Sequence, residues 1–479
     1  MPSRRDFIKY STVLVAGLKS QKLMALGNSV SGNFVPKRPI PGERKFRSNV
    51  IDEKIREVKS YIKDKELAWM FENCFPNTLD TTIDFEMIEG NHDTFVITGD
   101  IDAMWLRDST AQVWPYMPFI NEDEHLKNMI RGLIRRQTQN ILLDPYANAF
   151  YKDPSKISRW ISDKPKIKPG VHERKWEIDS LCYPIRLANE YYRITNDASI
   201  FTRSWNEAAR LVYNTFKIEQ RMNGMSPYWF ERKTTAMIDA PPFRGTGRPI
   251  KPVGLICSMF RPSDDSTLFP FLIPSNLFAA QSLRQLSVLY KHELRDEQFA
   301  DECTNLADQI KSAVKKYAIH QHLNYGNIYA YEVDGFGNKL FMDDANVPSL
   351  ISLAYLNICK SNDPVYLNTR KFLLSNDNPY FLKGKAAKGQ GSPHTGKENI
   401  WPMGIILRAL TSNDESEIAM CISMLKATHA GTGFMHESFH KDDARNYSRD
   451  WFAWANTLFG ELILKLYSDN KTLLVKKRF

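Results

Sequence analysis

Residues 98–116 concentrate polar and aromatic side chains in a way that a core segment does not. The stretch reads TGDIDAMWLRDSTAQVWPY and holds three aspartates, one arginine and two tryptophans. A sugar ring offers pairs of hydroxyls to carboxylates and C–H faces to indoles, so this combination suits carbohydrate binding. The alternative is a helix N-terminus, with Asp100 and Asp102 as caps and the charges of Arg107 and Asp108 solvated. The residue types alone leave both interpretations open.

Two further acidic motifs contain the residue types that acid–base chemistry requires. Asp264 and Asp265 are adjacent in RPSDDS, and repulsion between such neighbours keeps one carboxyl protonated near neutral pH when the site is partly desolvated. Glu437 follows the glycines of GTGFMHES, which indicates irregular structure. An acid and a second carboxylate are what hydrolysis of a glycosidic bond uses. The two aspartates have an alternative role as caps, although Pro270 and Pro274 favour a loop there.

Glu437 also lies in a motif with a different chemistry. Residues 436–440 read HESFH and match H-E-x-x-H, in which two histidines one helical turn apart bind zinc. That geometry needs a continuous helix, and the flanking GTGF and KDDARN have poor helix propensity and no apolar periodicity. These flanking residues disfavour a zinc-dependent hydrolase, which we keep as an alternative function because the motif itself matches. A non-catalytic glycan-binding protein that uses the same acids without turnover is a second alternative.

Six sequence blocks, taken together, resemble glycoside hydrolase family 125. After residues 98–116 they are WEIDSLCYP at 176–184, MFRPSDDS at 259–266, DDANVPSL at 343–350, GSPHTGKENIWPM at 391–403 and MHESFH at 435–440. The resemblance covers nearly the whole chain apart from its front end. It implies an exo-acting, inverting α-1,6-mannosidase with an (α/α)6 barrel fold. It also implies mannose-containing oligosaccharides or N-glycans as substrate, and neither metal nor other cofactor.

The resemblance further implies roles for individual residues. It places the general base at Glu437 and the general acid in the Asp264–Asp265 pair. We favour Asp264 as the acid, with Asp265 orienting substrate or tuning its neighbour. Arg261 is expected to pair with an active-site carboxylate. The residues expected to bind substrate are Asp100, Trp105, Arg107, Asp108, Arg261, His394, Lys397, Glu398, Trp401 and His436.

The elements that must position these residues are predicted to be mainly helices. Apolar residues recur at helical spacing over residues 279–290 and 451–466, with the later helix starting near Ser448. Asp344 ahead of residues 350–358 predicts a further helix. The short strands predicted from alternation are residues 94–97 and 328–333. Because the polar motifs fall between helices, an all-α toroid with short β segments in its loops is expected.

The front of the chain is predicted to be an export signal. Residues 3–9 read SRRDFIK and resemble the twin-arginine motif, and a short apolar run follows them. We therefore expect a signal peptide over residues 1–27, a linker over 28–48 and a catalytic domain over 49–479, in a periplasmic or exported protein. The alternative is a basic, disordered tail on a cytoplasmic protein.

Composition and charge exclude several classes of function. Residues 1–47 hold ten Lys/Arg against two Asp/Glu, which leaves only +1 of the total +9 for the rest of the chain. Attraction to nucleic acid or to an anionic membrane thereby loses its support, and no later apolar run is long enough to span a bilayer. The six cysteines are scattered singly, so they are either buried thiols or disulfide partners rather than a zinc or redox motif. A soluble monomer is expected.

Overall fold

The computed structural model describes residues 34–476. Helix accounts for 47% and strand for 14% of the structure, which confirms the prediction of a mainly α-helical fold. The expected signal peptide lies outside the described residues. Within residues 34–476, no helix combines the length and apolar character that crossing a membrane requires.

The described helices are joined by long loops that contain short antiparallel strands. The helices are α1 (Asn49–Tyr61), α2 (Lys65–Cys74), α3 (Asn77–Thr81), α4 (Leu106–Val113), α5 (Glu124–Leu143), α6 (Ile178–Thr195), α7 (Arg203–Glu219), α8 (Ile273–His292), α9 (Glu297–Tyr317), α10 (Pro364–Leu373), α11 (Pro402–Leu410), α12 (Glu415–Thr428), α13 (Ala453–Asp469) and α14 (Lys471–Leu474). The strands are β1 (Ile83–Ile88), β2 (Asn91–Val96), β3 (Met104–Trp105), β4 (Ala149–Phe150), β5 (Val171–Glu173), β6 (Phe271–Leu272), β7 (Ile319–His322), β8 (Gly326–Tyr329), β9 (Glu332–Val333), β10 (Lys339–Leu340), β11 (Phe381–Lys383), β12 (Lys388–Ser392), β13 (Gly396–Ile400), β14 (Ser438–His440) and β15 (Asp443–Ser448). Strands β11 to β15 form the largest sheet, and the others pair in twos and threes.

The helices are arranged as an inner and an outer ring. In the inner ring α4 packs against α6, α6 against α8, and α11 against α13, which returns to α4. A 3-10 turn, Ile351–Leu353, takes the place between α8 and α11 in chain order and contacts α11. Outer helices cover the ring, with α9 packed on α8, α12 on α11, α10 on the 3-10 turn and α2 on α13. This arrangement is the expected all-α toroid.

The pattern of burial distinguishes the inner helices from the outer ones. All eight residues of α4 are buried, and α6 is buried from Ile178 to Ala188. The outer helix α1 instead buries only Ile51, Ile55 and Val58, which recur at helical spacing on one face. Helices that are buried all round therefore form the inner wall, and amphipathic helices enclose them.

The predicted linker is wrong for its described part. Residues 34–48 pack onto the helical domain, where Arg38 Nε donates to Asp80 Oδ2 at 2.7 Å. The backbone N–H of Lys37 donates to Asn73 Oδ1 at 2.8 Å, and the Phe46 ring stacks on His125 at 4.4 Å between centroids. Arg38 compensates a buried carboxylate, so this segment is part of the folded domain.

Two of the helix predictions also need correction. Residues 350–358 form only the 3-10 turn, because the carboxylate of Asp343 caps the N–H groups of Leu350 and Ile351 at 2.8 and 3.0 Å and Asn357 adopts a positive φ of 58°. Asp343 is thus the cap, rather than the predicted Asp344. The last long helix begins at Ala453 instead of Ser448, since residues up to 448 belong to β15.

Other predictions are confirmed. Residues 279–290 lie in α8 and residues 453–466 in α13, while β2 and β8–β9 fall at the predicted strand positions. All six cysteines lie within the described residues and are free thiols, five of them buried. They are therefore small apolar side chains of the core rather than disulfide partners.

A half-buried glutamate of the inner helix α13 predicts a specific pH dependence of stability. Glu461 in α13 accepts a hydrogen bond from Tyr355 Oη at 2.8 Å, and burial raises its pKa to about 7. The folded protein therefore binds a proton at Glu461 that the unfolded chain releases between its ordinary pKa and about 7, so stability falls as pH rises through that window. We expect Glu461→Gln to flatten the decline in Tm between pH 5 and 8, measured by calorimetry. An unchanged Tm profile would contradict the protonated state of Glu461.

Candidate active site

The inner helices begin at the same end of the toroid as the acidic and aromatic motifs. Trp105 is the N-cap residue of α4, Glu177 of α6, Trp401 of α11 and Phe452 of α13. Polar side chains follow in the first turns, where helix dipoles favour negative charge. Each of these sequence motifs therefore forms the segment that leads into an inner helix.

These helix entries surround one cavity. Its volume is about 430 Å³ when the space open to solvent is counted. It is lined by Thr98, Ile101, Trp105, Arg107, Asp108, Pro262, Ser263, Asp264, Asn346, His394, Trp401, Glu437, Arg449, Phe452 and Trp454. Aromatic walls with a few convergent polar groups are typical of a small-molecule site.

Arg107 is the centre of a buried cluster of carboxylates. Its Nη1 contacts Glu177 Oε2 at 2.6 Å and Asp179 Oδ2 at 3.0 Å. Its Nε lies 3.4 Å from Asp108 Oδ2, and its Nη2 lies 3.8 Å from Asp264 Oδ1. Burial raises the pKa of Asp108 to about 6 even though the guanidinium opposes this. Arg107 therefore holds four acids together beside the cavity, which a solvated helix-start arginine does not do.

The adjacent aspartates point to different environments. Asp264 lines the cavity, and Asn148 Nδ2 donates to its Oδ1 at 3.2 Å. It adopts a left-handed φ of 66°, a conformation rare for non-glycine residues and frequent at functional sites. Asp265 is fully buried and lies 2.9 Å from Nδ1 of His394, and burial raises its pKa. The loop thus presents Asp264 to the cavity and uses Asp265 to hold His394.

Glu437 lies on the cavity wall and is held by two donors. Ser448 Oγ donates to its Oε2 at 3.1 Å, and Arg449 Nη1 lies 3.4 Å from its Oε1. The Nη2 of Arg449 is bonded to the carbonyl of Thr98 at 3.1 Å and to the carboxylate of Asp100. The loop before α13 is therefore tied to the loop before α4, and both lie at the cavity.

Five of the ten predicted binding residues line the cavity, and three of the others are turned away from it. The five are Trp105, Arg107, Asp108, His394 and Trp401. Asp100 contacts Arg449 behind the wall, so it positions a cavity residue. Arg261 forms its ion pair with Glu332 at 2.6 Å rather than with an active-site aspartate, although its charge also opposes the raised pKa of Asp265. His436 is 1% exposed and stacks on Tyr447 at 3.7 Å, so it belongs to the core.

The two remaining predicted residues lie on the surface. Lys397 and Glu398 are exposed on β13, and the carboxylate of Glu398 is bonded to Lys441. The β13 strand turns these side chains outward, while His394 before it and Trp401 after it face the cavity. Adjacent strand residues point to opposite faces, so both faces of β13 are exposed at this end, and the strand carries Lys397 and Glu398 away from the cavity.

The zinc alternative does not fit the geometry. Residues 438–440 form strand β14, so His436 and His440 are not one helical turn apart. His436 lies within hydrogen-bonding distance of two backbone carbonyls, those of Arg449 at 3.0 Å and His429 at 3.4 Å. Among the described residues, Glu398, His440 and Asp442 do bring ligand atoms within 4.8 Å of one another. The ammonium of Lys441 already bonds both carboxylates of that surface group.

Several cavity residues were not predicted from the sequence. They are Thr98, Ile101, Pro262, Ser263, Asn346, Arg449, Phe452 and Trp454, together with Glu177 beneath the wall. A signal for Arg449 was present, because an Arg–Asp pair beside a tryptophan occurs both at residues 105–108 and at residues 449–451. The apolar members carried no signal, because Phe452 and Trp454 read as ordinary core residues of α13.

Comparison with known proteins agrees with this site. The sequence profile of the metal-independent alpha-mannosidases (GH125) matches residues 64–464. The meiotically up-regulated gene 157 protein of Schizosaccharomyces pombe is 40% identical over 460 residues, which cover 92% of this chain and 90% of that protein. A metal-independent alpha-mannosidase of Streptococcus pneumoniae, solved in a non-productive substrate complex with alpha-1,6-mannobiose, superposes with a TM-score of 0.85. It is 39% identical, and the match covers 89% of this chain and all of that one.

The toroid and its acidic, aromatic cavity are those of a glycoside hydrolase. The chain belongs to glycoside hydrolase family 125, the metal-independent α-mannosidases.

Proposed function

We propose that the protein is an exo-acting α-1,6-mannosidase that inverts the anomeric configuration, with Asp264 as general acid and Glu437 as general base. The observation that carries this proposal is that both carboxylates lie on the wall of one cavity. Asp264 precedes α8 and Glu437 precedes α13, which are three places apart in the inner ring of six segments. Carboxylates on opposite sides leave room for the water that an inverting mechanism needs between base and sugar.

On the acid side, the Asp264 carboxyl would protonate the glycosidic oxygen as the bond to the anomeric carbon breaks. Two contacts fix its position, since Asn148 Nδ2 donates to Oδ1 and Lys175 Nζ donates to the Asp264 carbonyl at 2.7 Å. Asp265 is fully buried and faces His394 instead, so it does not compete for the leaving oxygen. These contacts support Asp264 as the acid and Asp265 as a positioning residue.

On the base side, Glu437 would take a proton from the water that attacks the opposite face of the ring. Ser448 and Arg449 fix its carboxylate from two directions, which holds one oxygen orientation during the reaction. Trp105 and Trp401 provide apolar faces for the mannose ring, and Arg107 and Asp108 provide polar groups for its hydroxyls. The acid, the base and the substrate contacts of this mechanism are all side chains of this chain, and water is the nucleophile.

The exo mode and the linkage have separate support. The cavity is walled by the entries of several inner helices, and such an enclosed site supports capture of a chain end over passage of a polymer. The linkage rests on the Streptococcus pneumoniae relative, whose complex contains alpha-1,6-mannobiose. We extend that substrate class to this chain because the cavity residues fall in the matched region.

We expect β-mannose to be the first product released from α-1,6-mannobiose. An inverting displacement must deliver the β anomer, which mutarotates only afterwards. Proton NMR of a fresh hydrolysate measures the anomer directly, and α-1,2- and α-1,3-mannobiose serve as matched controls. Initial α-mannose would contradict inversion, while faster cleavage of an isomer would contradict the linkage. Binding of mannobiose without release of mannose would instead favour a glycan-binding protein.

A further inference from the structure

Two long loops lie against each other at one side of the cavity, and we call residues 152–168 and 221–251 the mouth loops. Lys164 and Glu231 exchange two backbone hydrogen bonds of 2.9 Å. Arg232 Nη2 lies 2.5 Å from Asp163 Oδ2. A backbone bridge and a buried ion pair therefore join the two loops into one surface.

The mouth loops are also attached to the catalytic wall. The carbonyl of Ile238 accepts a hydrogen bond of 2.7 Å from the N–H of Ser266, two residues after Asp264. Ser158 Oγ donates to the carbonyl of His172 at 2.6 Å, and the His172 ring meets the edge of Trp105 at 5.3 Å. Both loops thus contact residues that form or support the cavity wall.

Positive charge is concentrated on this surface. Each mouth loop holds six Lys/Arg against two Asp/Glu, a net charge of +4 apiece. Residues 34–476 carry +3 in total, so the described remainder carries −5. The cations that are exposed and form no ion pair with another described residue are Lys164, Lys166, Lys168, Lys233, Arg244, Arg248 and Lys251, and Lys168 donates to the Leu143 carbonyl. The near-neutral net charge of the folded part therefore conceals a strongly basic surface.

Exposed apolar side chains are concentrated on the same loops. Met237 is 92% exposed, Met225 87%, Ile157 76% and Phe243 60%. Seven of the nineteen exposed large hydrophobic residues in residues 34–476 lie on the mouth loops, which make up about a tenth of that span. A concentration of exposed apolar groups marks an interaction surface.

We propose that the mouth loops dock on the surface of an anionic lipid bilayer. Lysine and arginine contact the anionic headgroups, while Ile157, Met237 and Phe243 enter the boundary of the acyl chains. A polyanion such as nucleic acid or acidic polysaccharide pairs with the cations but leaves the isoleucine and methionines in water. Docking would place the cavity beside the membrane. If the protein is the mannosidase proposed above, its substrate class is then mannosides anchored to lipid.

Vesicle flotation with the full-length protein tests this proposal. Phosphatidylcholine vesicles are compared with vesicles that also contain phosphatidylglycerol, and wild type is compared with Lys233→Glu/Arg244→Glu/Arg248→Glu and with Met237→Ser/Phe243→Ser. Matched controls on helices α8 and α9 and on the β7–β8 hairpin are Lys291→Glu/Lys311→Glu/Lys315→Glu and Leu323→Ser, all at exposed positions. Since each cation near an anionic surface contributes about five-fold to partitioning, we expect the first variant to lose about 100-fold or more. Hydrolysis of soluble mannobiose should be unchanged in every variant.

Amide hydrogen exchange localises the contact. Binding to the anionic vesicles should slow exchange in residues 152–168 and 221–251, and the apolar variant should bind less at high salt as well as low salt. The proposal is overturned by equal partitioning of the mouth-loop and control variants, by vesicle binding that leaves exchange in both loops unchanged, or by binding to heparin but not to vesicles. If the wild-type protein does not hydrolyse mannobiose, the proposed function is contradicted, whereas the vesicle measurements still test membrane docking.

Discussion

Glu437→Gln is expected to lower kcat on α-1,6-mannobiose by about 10²–10⁴-fold while KM changes little. The amide keeps the shape of the carboxylate: its oxygen can still accept from Arg449, 3.4 Å away in the wild type, and its NH₂ can donate to the Ser448 hydroxyl, 3.1 Å away. It cannot accept a proton from the attacking water, so the loss falls on the chemical step. Steady-state kinetics with detection of released mannose measures both constants.

The matched control is Glu398→Gln, which makes the same change on β13 outside the cavity. Glu398 is exposed and paired with Lys441, so its variant should keep wild-type kcat and KM. Near-normal turnover by Glu437→Gln would remove the glutamate from the base role. A loss confined to KM would show that Glu437 binds substrate without activating water.

Asp264→Asn is expected to reduce kcat/KM on mannobiose by about 10²–10⁴-fold and on an aryl α-mannoside with a good leaving group by much less. A sugar alkoxide leaves slowly unless it is protonated, whereas an activated phenolate leaves without help. The ratio of the two losses therefore measures proton donation at the residue. Initial-rate kinetics on both substrates, with the same enzyme preparation, gives that ratio.

Asp265→Asn is the comparison that separates the two aspartates. Its carboxylate holds His394 at 2.9 Å and does not line the cavity, so its loss should affect both substrates alike. His394→Asn should then produce a similar, substrate-independent loss. If Asp265→Asn alone spares the aryl substrate, the acid is Asp265, and the orientation of this loop differs in the working enzyme.

Much of the helical framework was predictable, because apolar periodicity reports burial directly. Residues 279–290 and most of 451–466 repeat at helical spacing, and they form α8 and α13 of the inner ring. The prediction failed at residues 350–358, which are rich in apolar side chains but do not form the predicted helix. There the Asp343 carboxylate and the positive φ of Asn357 limit the segment to a single turn. Such local contacts override propensity and have no periodic signature.

The sequence by itself determined the chemistry of this protein, namely two acidic motifs, tryptophans and arginines near the starts of helices. Poor helix propensity around Glu437 disfavoured the zinc geometry but left it open, and strand β14 then excluded it. The tertiary structure alone decided which of two adjacent aspartates faces the cavity. Asp264 and Asp265 share a motif, and their different surroundings come from Asn148, Lys175 and His394, which are distant in sequence.

The charge of the protein likewise has one part that the sequence determines and another that only the tertiary structure determines. Counting residues gave the folded part almost no net charge, which is a sum and carries no positions. Folding brought residues 152–168 and 221–251 together at the cavity mouth through the Lys164–Glu231 bridge. A surface field depends on where charges lie relative to one another, and long-range contacts set those distances. The sequence therefore specified the groups, and the fold determined what they face.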